Sequence, residues 1–229
     1  MDQQFEDFFR ERFGSMLETE KAKKAENYRI LNRTARKGAL LFTGSSLMEQ
    51  FPVCEMAASA GITKTIYNRG IGGYTTDDFL REIDTVLLDL QPSRVFINIG
   101  TNDMTRRVHG DKWMDHLFAN YDTIIRTALE RIPGVEIFIM AYYPTCPHLP
   151  GITGHERELL KERTKENIAE CNRRAALLAE KYGQHYIDAN DGLTGEDGET
   201  KPEFSVDGVH MYASAYEVVF RNLRPYIEA

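Results

Sequence analysis

Cysteine is scarce in this 229-residue chain, and the three present (Cys54, Cys146 and Cys171) are widely spaced and odd in number. That spacing fits neither a disulfide framework nor a zinc ribbon. Long apolar runs are missing too, since none approaches the roughly 20 residues of a membrane span. The opening Met-Asp-Gln-Gln-Phe-Glu is acidic and shows no apolar core of the kind a secretory signal needs. A cytoplasmic location is therefore expected. Positive charge is in deficit, with 28 Lys and Arg against 35 Asp and Glu and a formal net charge of -7. Nucleic acid is a poor partner for such a chain, because neutralising phosphates takes clustered basic residues.

What is present is a globular composition, 42% hydrophobic and 28% charged, at a length that suits one α/β domain. From residue 2 to about 36 the pattern is helical, with Phe5, Phe8, Phe9, Phe13, Met16 and Leu17 recurring at three- and four-residue spacing. A charged stretch, 18–24, separates these from Tyr28, Ile30 and Leu31. This predicts a helical extension over 1–36 that packs on the body or on a second subunit, the latter giving a homo-oligomer. A helix lying on a membrane would carry Lys and Arg on its polar face, where this one carries Glu6, Asp7 and Glu11.

After the extension the chain alternates. Strand-like runs cover 39–44, 64–68, 94–100, 135–143 and 185–189, and helical patterns cover 47–60, 75–90, 113–132, 156–182 and 212–227. Thr75-Thr76-Asp77-Asp78 caps one helix start, while Gln91-Pro92 and Pro133-Gly134 stop two others. Strand and helix alternating through short links predict a five-stranded parallel sheet covered on both faces, a three-layer α/β/α sandwich. No repeat or linker composition divides 37–229, so it reads as one domain. Two long loops, 143–154 and 191–207, follow the fourth and fifth strands, at the carboxyl edge where such folds collect ligands.

Four short segments fall at that edge. Leu40-Leu-Phe-Thr-Gly44-Ser45-Ser46-Leu-Met-Glu49 runs from strand through a small-residue turn into helix. Alone, Ser46-x-x-Glu49 reads as a capping box. A serine is a nucleophile only when a base takes its proton, and Asp207-Gly-Val-His210 offers one. A turn would let Asp207 bind one ring nitrogen of His210 and leave the other for Ser46. Alone, Asp207-Gly208 is a turn and His210 a surface residue entering the last helix. Asn68-Arg-Gly-Ile-Gly-Gly73 can turn bare backbone amides toward a ligand, and Gly100-Thr-Asn102-Asp103 offers a side-chain amide donor.

These blocks, in this order, resemble the SGNH (GDSL-type) hydrolase family from about Leu40 to the C-terminus. The resemblance implies a flavodoxin-like fold and ester hydrolysis through an acyl-enzyme. Ser46 takes the nucleophile position in it, with Asp207 and His210 completing a triad. The amides of Ser46 and Gly73 and the side chain of Asn102 form the oxyanion hole. Ser45 stands where the family's usual motif has Asp, and register against Gly44 and Leu47 assigns the nucleophile to Ser46. Small or medium acyl esters, acetyl among them, are the expected substrates, on O-acetylated carbohydrate or on lysophospholipid-like alcohols. Thr145, His148 and Thr153 would read the first, and Tyr74, Tyr142, Tyr143 and Met211 would line an apolar pocket for the second.

A flavodoxin-like phosphate- or nucleotide-binding module without hydrolase activity is the alternative from another class, using residues 43–46 to cradle a phosphate. It leaves Asp207 and His210 without a task. A scaffold that binds partners through the N-terminal helix is a third. No cofactor or metal is expected. His109, His116, His148, His155 and His185 form no ligand spacing such as His-Glu-x-x-His, Cys146 has no assigned base, and Asp103 reads as a turn residue.

Overall fold

The computed structural model describes residues 3–229, with side chains described from Arg12 onward except Phe13 and His155. The predicted stripe of Phe5, Phe8, Phe9 and Phe13, the acidic face of Glu6, Asp7 and Glu11, and His155 lie outside the described side chains. Helix α1 spans Gln3–Asn32, and β1 (Leu40–Gly44) follows. Then come α2 (Ser46–Glu49), α3 (Val53–Ser59), β2 (Ile66–Asn68), α4 (Thr76–Arg81), α5 (Ile83–Val86) and β3 (Arg94–Asn98). Beyond β3 lie α6 (Arg106–His109), α7 (Trp113–Arg131), β4 (Glu136–Met140), α8 (Gly154–Leu160), α9 (Lys165–Lys181), β5 (His185–Ile187) and α10 (Ala213–Glu228).

The five strands form one parallel sheet in the order β2-β1-β3-β4-β5. Both faces are covered, which is why the strands read as continuous apolar runs. Leu41, Val95, Ile97, Ile137 and Ile139 enter a core with α4, α7 and α9. Their neighbours Leu40, Phe42, Phe96, Phe138 and Met140 enter the opposite core with α3 and α10. On that second face the register aligns Phe42, Phe96, Phe138 and His185 across four strands. Their rings stack at 4.5, 4.8 and 4.5 Å. Phe96 is wholly buried in this ladder, and truncating such a core ring typically costs about 3–5 kcal/mol.

Three predicted helices are broken. The 47–60 pattern divides at Pro52, whose ring lacks the amide needed to continue α2. The 75–90 pattern bends at Glu82 and again at Leu87, then ends where Gln91 turns left-handed (φ 43°) before Pro92. The 156–182 pattern restarts at Thr164, whose hydroxyl accepts the Asn167 amide and caps α9. The cap at Thr75 is present as a reciprocal box, with Thr75 Oγ1 accepting from the Asp78 amide and Asp78 accepting from the Thr75 amide.

Helix α1 lies against the second and first crossovers. Lys21 pairs with Asp78 at 2.9 Å, the Tyr28 hydroxyl donates to Gly70 O, and Asn32 bonds both Thr85 O and Arg69. The chain leaves β1 toward β2 on one side and returns to β3 on the other, so the connections diverge between β1 and β3. Open parallel sheets bind ligands outside the carboxyl ends of such a divergence.

Candidate active site

At the end of β1, Gly44 adopts φ 152°, and a Cβ there would stand 1.9 Å from Asn98 O of β3. Only glycine lets the two strand ends approach this closely. Ser45 then acts as the N-cap of α2 without a side-chain bond, and Ser46 is the first helical residue. The capping-box reading of Ser46 is thereby corrected: its hydroxyl lies 2.9 Å from His210 Nε2. Glu49, the other half of the supposed box, reaches across to accept the Gly72 amide and pairs with Lys24 of α1. Ser45 is completely buried, and its hydroxyl has no partner among the described residues.

His210 does not enter the last helix, which begins at Ala213. It sits in a turn closed by the Ser205–Met211 bridge and by the Gly208 amide donating to Ser205 Oγ at 2.9 Å. The same turn brings Asp207 Oδ2 to 2.6 Å from His210 Nδ1. Asp207 Oδ1 accepts the amides of Val209 and His210 at 3.0 and 2.8 Å. Burial opposes charge on this carboxyl, but the bonds from the His210 ring and the two amides outweigh it and hold its pKa far below the ordinary range. An ionised carboxylate only accepts, so Nδ1 carries the ring proton and Nε2 is left to accept from Ser46.

The loop after β2 is fastened beside Ser46. Arg69 and Ile71 amides donate to Phe42 O and Gly44 O, and Asn68 Nδ2 donates to Met48 O at 2.6 Å. Gly73 turns left-handed at φ 76° against Lys21 and Leu17 of α1. Among the described residues no protein acceptor takes the amides of Ser46 or Gly73. From the end of β3, Asn102 Nδ2 donates to Tyr74 O at 3.0 Å, which ties the third segment to the second and leaves the other amide hydrogen free.

Sequence reading missed Arg163. It is buried, donates from Nε to Thr101 O at 3.2 Å and from Nη2 to Asn102 Oδ1 at 3.3 Å, and faces no carboxylate within bonding distance among the described residues. Burial lowers its pKa to about 10, with the negative field of Asp207 working the other way. Its bond fixes which way the Asn102 amide points. A single arginine inside a charged helical pattern carries no sequence signal for this. Asp103, read as a turn residue, proves to be buried and accepts from both the amide and the hydroxyl of Thr76. Burial raises its pKa to about 6 against those bonds.

A cavity of about 10 Å³ opens next to these residues, lined in part by Leu47, Thr101 and Val209, each adjacent in sequence to a site residue. Tyr142, Tyr143, Thr145 and Arg163 are also in its wall. Tyr74 and Met211 are core residues. Of the proposed hydroxyl readers, Thr145 donates to Arg163 O, Thr153 precedes α8 as its N-cap, and His148 pairs with Glu199. Cys146 is buried and its thiol pKa is raised by that burial.

Residues 52–218 match the GDSL-like Lipase/Acylhydrolase family. Platelet-activating factor acetylhydrolase IB subunit alpha1 from Bos taurus is 25% identical over 185 residues, 80% of this chain and 72% of the relative. Among solved structures, a Streptococcus pneumonia protein provisionally described as a platelet activating factor is similar at a TM-score of 0.84 and 28% identity. That likeness covers 96% of this chain and 99% of the other. Axe2, an acetylxylan esterase from Geobacillus stearothermophilus, shares the fold at a TM-score of 0.63 and 17% identity, over 85% and 96% of the two chains. No helix among the described residues is long and apolar enough to cross a membrane. With more than half its length matched, this chain belongs to the GDSL-like (SGNH) hydrolase family and is an ester hydrolase.

Proposed function

We propose that the chain cleaves short acyl esters, acetyl esters above all, with Ser46 as nucleophile, His210 as base and Asp207 as the residue that fixes the base. The observation that carries this reading is the bonded chain Ser46 Oγ, His210 Nε2, His210 Nδ1, Asp207 Oδ2, at 2.9 and 2.6 Å. Ser46 Oγ adds to the ester carbonyl while His210 Nε2 takes its proton. The oxyanion accepts from the amides of Ser46 and Gly73 and from Asn102 Nδ2. Collapse of the tetrahedral intermediate expels the alcohol, protonated by His210, and a water activated by the same nitrogen frees the acid.

A short acyl group is supported by the acetylhydrolase relative, and the small cavity lined by Leu47, Thr101 and Val209 lies one residue in sequence from Ser46, Asn102 and His210. The substrate is either an O-acetylated carbohydrate or a lysophospholipid-like ester, and the acetylhydrolase relative supports the second. The expected cytoplasmic location rests on three unpaired cysteines. A homo-oligomer through α1 rests on its exposed Met16, Ile30 and Leu31, and the mass in solution reads it. Labelling with a fluorophosphonate and mapping the peptides tests the mechanism. Modification of Ser46 that His210→Ala abolishes is expected; a folded protein that takes no label overturns the reading. A panel of p-nitrophenyl esters, acetylated sugars and lysophospholipids then sorts the alcohol.

A further inference from the structure

Away from Ser46, three side chains from three helices meet at the surface. Asp77 is in the first turn of α4, His109 is the last residue of α6, and His116 is in the first turn of α7. His116 Nε2 lies 2.9 Å from Asp77 Oδ2, and His109 Nε2 lies 3.8 Å from the same oxygen. All three ligand-capable atoms are within 4.8 Å of one another. The imidazoles stack, with centroids 3.7 Å apart and an interplanar angle of 25°. Asn120, one turn along α7, donates to Asp77 Oδ1 at 2.8 Å and to Thr76 Oγ1 at 3.0 Å, which props the carboxylate from behind.

We propose that Asp77, His109 and His116 bind a divalent transition-metal ion, Zn²⁺ in the first instance, through Asp77 Oδ2 and the two Nε2 atoms. Tetrahedral Zn²⁺ holds N and O ligands at about 2.0–2.1 Å, which spaces them about 3.3 Å apart. The 2.9 and 3.8 Å separations bracket that spacing, so closing around an ion takes shifts of a few tenths of an ångström at these two edges and a rotation of one imidazole out of the stack, which turns its in-plane lone pair to the ion. The movable partner is His109. Its helix, α6, contains no buried residue and ends at Gly110, so the ring can swing without disturbing a core. Two imidazoles and one carboxylate favour Zn²⁺, Ni²⁺, Co²⁺ or Cu²⁺ over Mg²⁺ and Ca²⁺, which take oxygen ligands. Three protein ligands leave a fourth position for water.

Binding needs an unprotonated His116 Nε2 with the ring proton on Nδ1, and Nε2 then gives up its contacts with Asp77 and the Asn120 amide for the metal. The ion would clamp α4, which follows Gly73, to the α6–α7 segment, which follows Asn102. It therefore braces the two segments that carry the proposed oxyanion donors, although its binding is independent of whether they act so.

The untagged full chain, titrated with Co²⁺ alone and followed by visible absorption, tests the site. One Co²⁺ per chain with a d–d band, displaced by one equivalent of Zn²⁺, is expected. His109→Ala and His116→Ala, both at partly exposed positions, should each weaken binding at least about tenfold, while His148→Ala leaves it unchanged. No stoichiometric band in the wild-type chain overturns the site, as does an unaltered band in His116→Ala shown by circular dichroism to be folded.

Discussion

Among the described residues, two aspartate–histidine pairs lie within hydrogen-bond distance, similar in length and opposite in use. In Asp207–His210 the carboxylate meets Nδ1 at 2.6 Å and Nε2 is turned to the Ser46 hydroxyl. In Asp77–His116 the carboxylate meets Nε2 at 2.9 Å, and a second Nε2, from His109, converges on the same oxygen. The first pair is short in sequence, three residues around a turn, with two backbone amides locking the carboxylate. The second joins helices 39 residues apart, and a side-chain amide supports it. An imidazole between an acceptor and a hydroxyl can pass a proton. An imidazole nitrogen gathered with a second imidazole nitrogen and a carboxylate oxygen within 4.8 Å can hold a cation once its lone pair is free. Which nitrogen faces the carboxylate, and what faces the rest of the ring, decides between them.

The sharpest way to break the comparison is Asp207→Asn. The amide side chain can donate to Nδ1, which forces the ring proton onto Nε2 and removes the acceptor that Ser46 needs. Ester turnover should fall about 10⁴-fold with circular dichroism unchanged. A loss of tenfold or less would mean that Asp207 does not set the tautomer.

Next in size is Asn102→Ala, which removes one proposed oxyanion donor and the strut to Tyr74. Turnover should drop about 10²–10³-fold, equivalent to roughly 3–4 kcal/mol of barrier, with KM little changed. Turnover at the wild-type rate in a folded variant would take Asn102 out of the site.

The smallest effect is on stability and concerns Asp103, which lies between the two pairs, next to Asn102 and bonded to Thr76 beside Asp77. Burial raises its pKa to about 6, so the folded state holds its proton more tightly than the unfolded chain does. Stability from this group is complete below the ordinary carboxylate value and is lost as pH rises through about 6. Between about pH 4 and pH 7, wild type should lose about 2–3 kcal/mol relative to Asp103→Asn in urea unfolding. A difference that stays flat with pH would show that Asp103 is ionised at no cost.

Most of the fold was legible because its signals are local. Apolar runs at 39–44 and 94–100 and the stops at Pro92 and Pro133 follow from short-range sterics and burial, and all five strands were found. Helix interruptions were not, and the 47–60 reading ran straight through Pro52. Thr164 reads as an ordinary helical residue until its hydroxyl is seen capping α9. The blocks around Ser46, Gly73 and Asn102 were legible as strand-end turns of unusual composition, and the one around His210 as an Asp-Gly turn with a histidine before the last helix.

Sequence alone determined the alternation, the parallel sheet and the residue types at its carboxyl edge, because backbone sterics and hydrophobic periodicity act over a few residues. Tertiary structure decided that Ser46 serves no capping box and lies against His210, that a buried Arg163 steers Asn102, and that His109 and His116 meet Asp77. These depend on distances between segments far apart in the chain, and only packing the helices onto the sheet brings such groups within reach.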